Sequence, residues 1–294
     1  MKLYAPEYYK NFTCIADKCE HSCCIGWEID IDGETFERYK KLGGGYGDRI
    51  IDSISLDGTP HFALCEHDRC PHLDERGLCK IILNVGEDYL CDICREHPRF
   101  YNYTDVAEVG LGMSCREAAR VVLSSPNYDV MEEIGEVDVD EDGISFDGRN
   151  ERAKIYAILR DRELDYEAKL GAVCRQYEID LLDDGVWVEI IGSLEYLDES
   201  HRELFLTYSS EKRARGREAY LERALAYFVF RHCTEAFDID DFRARLAFCL
   251  FCERLLSSLI VAQGAQALDE IAILASIVSE EIEYSEDNTE KLTY

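Results

Sequence analysis

Apolar positions recur every three or four residues through most of the second half of the chain. Ile155, Leu159, Tyr166, Leu170, Val173 and Tyr177 follow that spacing. So do Leu221, Leu225, Phe228 and His232, and then Phe242, Leu246, Cys249, Leu256 and Leu259. A 3.6-residue period places such positions on one stripe per helix. Gly264 punctuates the pattern, and a further helix is expected from about 265 to 284. Residues 186–206 carry a weaker helical period, and the tail from Ser285 is polar enough to fray.

The first half reads differently. Glu28-Ile29-Asp30-Ile31-Asp32 alternates like a short strand before an Asp32-Gly33 turn. Thr35 to Leu42 has a helical pattern that glycines 43, 44, 45 and 47 end. Val106 to Met113 reads as another strand, and Ser114 to Leu123 as a helix with Ser114 as N-cap and Glu117 three residues on. Residues 129–147 hold nine acids and no lysine or arginine, with Gly143 to Phe146 as one short strand inside them. These patterns predict a mainly α fold in three parts. Residues 1–128 form a cysteine-rich, loop-rich region with few short strands, 129–149 an acidic linker or hairpin, and 150–294 a helical domain.

Chemistry enters with the cysteines. Ten of fourteen precede residue 116: Cys14, Cys19, Cys23, Cys24, Cys65, Cys70, Cys79, Cys91, Cys94 and Cys115. Soft thiolates at short spacings select zinc or an iron–sulfur cluster. A bound metal also supplies folding energy to a segment with few long apolar runs. The opening Met1 to Tyr9 lacks a signal peptide's apolar run, and no stretch reaches the roughly 18 apolar residues of a membrane span. A cytoplasmic location is therefore expected, where thiols bind metal or catalyse more often than they pair as disulfides.

Charge narrows the partners. Against 32 Lys and Arg stand 61 Asp and Glu, a net −29. Such a surface repels phosphate backbones and anionic membranes, and steers lysine-bearing proteins toward it. Gly43-Gly44-Gly45-Tyr46-Gly47 follows a charged helical run instead of a strand, so it reads as a turn and not a phosphate-cradling loop. Only Cys91 and Cys94 show a two-residue gap typical of structural zinc pairs. Adjacent Cys23 and Cys24 cannot easily serve one ion together. His21, His72 and His97 lie within the clusters as ligands, ligand-orienting groups or plain loop residues. Arg95 and Arg99 offset thiolate charge or pair with nearby acids. Cys249, Cys252, Cys174 and Cys233 sit in apolar runs and read as small buried hydrophobes.

The run Cys19 to Trp27, the Cys70-Pro71 to Gly77-Leu78-Cys79 segment and Cys94-Arg95 to Pro98-Arg99-Phe100 together resemble the flagellin lysine-N-methylase family. The opening Tyr4-Ala5-Pro6-Glu7-Tyr8-Tyr9, Phe12-Thr13-Cys14 and Ser114-Cys115-Arg116-Glu117-Ala118-Ala119-Arg120 match too, with Arg116 where proline is expected. The resemblance covers residues 3–123. The second cluster alone also resembles a broader group of zinc- or iron-chelating cysteine proteins. What the family resemblance implies is methyl transfer from S-adenosylmethionine to surface lysines of flagellin, and a four-iron, four-sulfur cluster, with zinc as the alternative. Carried over residue by residue, the implied metal ligands are Cys14, Cys19, Cys23, Cys24, Cys70, Cys79, Cys94 and Cys115, with Cys65 and Cys91 as extras. The sequence singles out no catalytic base and no donor pocket. A cluster could be structural, hold the donor's amino and carboxylate groups at an iron left open by three cysteines, or transfer electrons; on that ground the second role is the one expected. Two other classes remain open: a non-catalytic zinc- or iron-binding adaptor, and an iron–sulfur redox protein.

Overall fold

In a computed structural model, residues 1–139 and 146–293 are described. The fold is mainly α. Its strands are, in chain order, β1 Lys2–Pro6, β2 Ile54–Ser55, β3 His61–Phe62, β4 Arg99–Tyr103, β5 Ala107–Leu111 and β6 Met131–Glu136. The chain separates into two compact units, Thr13–Pro98 and Met1–Phe12 together with Arg99–Tyr294.

The Thr13–Pro98 unit holds α1 Gly33–Leu42, α2 Tyr46–Asp52, α3 Lys80–Val85 and α4 Asp92–Glu96. Asp32 caps α1 by accepting from Thr35 N at 2.8 Å. Gly43, Gly44 and Gly45 all have positive φ and turn the chain from α1 directly into α2. A helix precedes these glycines, so they form the turn that the sequence pattern indicated. The expected strand at Glu28–Asp32 reduces to one bridge, Asp30 to His61. Its alternation nevertheless places Ile29 and Ile31 in the core. That core is small: Ile29, Ile31, Tyr39, Ile50, Phe62, Leu73 and Ile81, with Cys70 and Cys91.

The larger unit is built on helices α5 Arg116–Ser124, α6 Gly148–Leu159, α7 Tyr166–Tyr177, α8 Asp184–Ser193, α9 Glu199–Phe205, α10 Glu218–Cys233, α11 Ile239–Gln263, α12 Leu268–Val278 and α13 Glu286–Leu292. The weakly periodic 186–206 stretch is thus two helices, broken between Leu194 and Asp198. The helix after β5 begins one residue later than expected, with Cys115 rather than Ser114 at its N-cap. Helix α11 is long and apolar enough to cross a membrane, with mean hydropathy 1.6, but 78% of that window is buried inside the fold. It is the core helix, and Trp187 stacks on its Phe251 with ring centroids 3.8 Å apart.

A four-stranded sheet of order β4-β5-β1-β6 belongs to the same unit. β1 pairs parallel with β5 and antiparallel with β6. This pairing moves the expected boundaries. Residues 1–12 and 99–128, expected in the cysteine-rich region, belong with the helices because β1, β4 and β5 share the sheet and Tyr8 and Leu111 enter the helical core. Residues 131–136 of the expected linker form the sheet's edge strand, held by Lys2–Glu133 and Lys10–Glu132 ion pairs at 2.7 and 2.8 Å. The expected short strand at 143–146 lies largely outside the described residues.

Candidate functional site

Backbone pairing draws the first thiols together. Cys70 N donates to Cys24 O at 2.8 Å and Gly26 N to Asp68 O at 3.0 Å, while Ile25 bridges Arg69. Gly26 has φ +95°, a conformation side chains disfavour, which explains a glycine beside the adjacent cysteines. Trp27 Nε1 donates to Cys23 O at 3.0 Å and steadies that turn. A second turn is folded by Asp74, whose Oδ1 accepts from Arg76 N and Leu78 N. It returns Cys79 toward Cys70, with Leu73 bridging Cys79. Cys79 and Cys91 are the N-cap residues of α3 and α4. Asp32 ties α4 to α1, its Oδ2 accepting from Asp92 N at 3.0 Å.

The result is six thiols in one electrostatic field: Cys23, Cys24, Cys70, Cys79, Cys91 and Cys94. Cys24 hydrogen-bonds both Cys23 and Cys70, which pushes its own thiol up and holds it protonated. The same bonds lower Cys23 to about 7 and lower Cys70. Cys91 is lowered by its hydrogen bond with Cys94, and Cys94 is raised by it. Burial raises Cys79, opposed by the N–H groups of Ile82 and Ile81 at the start of α3. Thiolates that share protons with neighbouring thiols are the donors a soft cation takes by displacing protons. Among the described residues, no three His, Cys, Asp or Glu side chains are arranged around a single ion.

Of the eight cysteines expected as ligands, Cys23, Cys24, Cys70, Cys79 and Cys94 share this field. Cys14 is exposed, Cys19 is half-buried after the turn Ala16–Lys18, and Cys115 caps α5 in the helical unit. Cys91, read as an extra, stands inside the group and is fully buried. Its two-residue spacing to Cys94 was the signal that marked it. Cys65 is exposed.

Both ring nitrogens of His72 are spent, on Tyr46 OH at 2.8 Å and Ser53 Oγ at 2.9 Å. Burial lowers this imidazole to about 4, so it is a neutral packing element of the core. His97 packs its ring against Trp27, with centroids 6.4 Å apart. Arg95 pairs with Asp92 and Glu96, and Arg99 donates to Tyr9 OH at 2.7 Å. Cys233, Cys249 and Cys252 are buried in the helical core, where burial pushes the Cys249 and Cys252 thiols up. They pack as small apolar groups.

No family model matches the chain, and no solved structure matches it. Curated proteins do. A lysine-N-methylase from Salmonella choleraesuis (strain SC-B67) is 26% identical over 137 residues, and one from Salmonella typhimurium matches equally. Over less than half of its length, the chain is similar to proteins named lysine-N-methylase. The match takes in 42% of this chain and only 32% of those proteins, about a third of their length. The flagellar biosynthetic protein FliU of Salmonella muenchen is also 26% identical, over 42% of this chain and 77% of that protein. The family resemblance carried by the cysteine motifs is thus borne out by relatives, at modest identity.

Proposed function

We propose that this protein is an S-adenosylmethionine-dependent protein-lysine N-methyltransferase acting on surface lysines of flagellin. The observation that carries the reading is the likeness to proteins named lysine-N-methylase, joined by a relative named for flagellar biosynthesis. In the reaction, a lysine ε-nitrogen attacks the sulfonium methyl. An N–C bond forms, the S–C bond breaks, and sulfur leaves as a thioether with its electron pair. The amine must first lose its proton, because its reference pKa is near 10.4. The net charge of −29 supports electrostatic collection of a lysine-bearing protein substrate.

The thiol donor set fits a soft metal centre. Four of Cys23, Cys24, Cys70, Cys79, Cys91 and Cys94 would hold a four-iron, four-sulfur cluster, which takes its thiolates at separate corners instead of around one ion. When bound, the cluster would supply cross-links among segments that share little apolar core. Zinc is the second reading, favoured by the Cys91-Asp92-Ile93-Cys94 spacing. It goes with a non-catalytic adaptor.

Two measurements test the proposal together. Protein purified without oxygen is analysed for iron, sulfide, zinc and visible absorption. It is then incubated with methyl-labelled S-adenosylmethionine and flagellin, and methyl-lysine is read by mass spectrometry. Brown protein that labels flagellin is expected. Colourless zinc protein without transfer moves the assignment to the adaptor.

A further inference from the structure

Within the helical unit lies a cleft of about 350 Å3, formed by the segment around Pro126, the N-terminal end of α7 and the start of α10. Its volume falls in the range of small-ligand sites, roughly 300–1,000 Å3. Its lining charges sort into two groups. Arg160, Lys169 and Glu222 are already committed. Arg160 pairs with Asp129, and Lys169 Nζ with Glu222 Oε2 at 2.8 Å. Glu222 Oε1 accepts from Tyr128 OH at 2.9 Å.

The second group has no opposite charge among the described residues. Arg223 is half-buried and donates one guanidinium N–H to Leu123 O at 2.7 Å, but meets no carboxylate. The chain has nearly twice as many acids as bases, yet none of them pairs with Arg223 among the described residues. Glu218 accepts from Gly216 N at 2.9 Å, and Asp165 from Ala168 N at 2.8 Å. Neither meets a cation. The cleft therefore offers one uncompensated positive group and two uncompensated negative ones.

We infer that this cleft is the methyl-donor site, with Arg223 taking the donor's carboxylate and Glu218 and Asp165 its two positive charges. The inference rests on the methyltransferase reading above. S-adenosylmethionine carries one carboxylate, one ammonium and one sulfonium, which matches the lining group for group. Arginine suits the carboxylate because its planar fork donates two parallel bonds. The product thioether has lost the sulfonium charge, so the two carboxylates attract it less than the donor. This assignment replaces the expectation that the metal centre holds the donor's amino-acid end, which rested on the lack of any other site.

The test is calorimetric titration of the full chain with S-adenosylmethionine, S-adenosylhomocysteine, methionine and adenosine, with circular dichroism melts to check folding. Expected are binding of the donor, tighter than of the thioether, and loss of about tenfold or more in donor affinity for Arg223→Gln. Glu218→Gln, an isosteric change at a half-buried position, should narrow the donor-to-thioether preference while leaving the melt unchanged. Donor binding that both folded variants keep at full strength overturns the site while leaving the methyltransferase reading intact. Absence of donor and thioether binding in the parent protein overturns both.

Discussion

The two units hold themselves together by different means. The helical unit buries a long list of side chains in one continuous core, with α11 at its centre and Trp187 stacked on Phe251. The Thr13–Pro98 unit has only nine buried core residues, two of them cysteines, for some 86 residues of chain. Apolar burial at about 25 cal/mol per Å2 goes far in the first and little in the second. Where the apolar core runs short, the sequence supplies thiols. Under the proposed metal centre, the thiols would compensate for missing hydrophobic surface, as metal does in small domains.

The sharpest way to break the comparison is metal removal. Stripping the metal or cluster with chelator and mild oxidant should open the Thr13–Pro98 unit to limited proteolysis while the helical far-ultraviolet signal persists. Structural metals in small domains contribute about 10 kcal/mol or more, so the effect should be the largest of all. Equal protection with and without metal would end the argument. Next comes Phe251→Ala, which empties space beside Trp187 and should cost about 3–5 kcal/mol in the helical unit, read by denaturant melts, with metal content unchanged. Gly148→Ala follows. Its Cβ would lie 2.4 Å from the Thr234 carbonyl oxygen and 2.8 Å from that of Cys233, backbone atoms that yield little. A loss of about 1–3 kcal/mol is expected, again confined to the helical unit.

Two smaller effects sharpen the contrast through pH. In metal-free protein, Cys23 should be alkylated first, at a rate that climbs as pH passes about 7, because the Cys24 hydrogen bond favours its thiolate. Peptide mapping after brief iodoacetamide treatment reads this, and first labelling at the deeply buried Cys91 would contradict it. In the helical unit, burial alone would lower His201, but its hydrogen bond to Glu281 outweighs that and raises it. The folded state therefore favours the protonated ring. Its stabilisation is full below the unfolded value of about 6.5 and disappears as pH rises through the raised folded value. His201→Gln should then cost less at about pH 9 than at about pH 6, and an equal penalty at both would show that the charge is idle.

Helical periodicity made α6, α7, α10, α11 and α12 legible, because a 3.6-residue stripe is a local property of sequence. The sheet was not legible. β1 meets β5 about a hundred residues later, and no local pattern records that pairing. Hence residues 1–12 and 131–136 were assigned to the wrong neighbours. The thiol group was half legible. Spacing and resemblance marked the cysteines, but which six converge depends on turns at Gly26 and Asp74 and on the capping of α4. Cys91, read as an extra, lies among the six for that reason. The cleft charges were invisible, since what distinguishes Arg223 from Arg160 is a partner in space rather than a neighbour in sequence.

The chain leaves the helical unit after Phe12 and re-enters it at Arg99, whose side chain grips Tyr9 near the point of departure. This order fixes a timetable for synthesis. β1 leaves the ribosome before β5 and β6 and has none of its sheet partners to join until they follow. The whole thiol-bearing segment is made in the interval, and domains generally fold as units in the order they emerge. The nascent chain therefore presents its cysteines before the helices that make up most of its mass exist, and under the proposed metal centre the supply of iron, sulfide or zinc at that moment would govern what the finished protein contains.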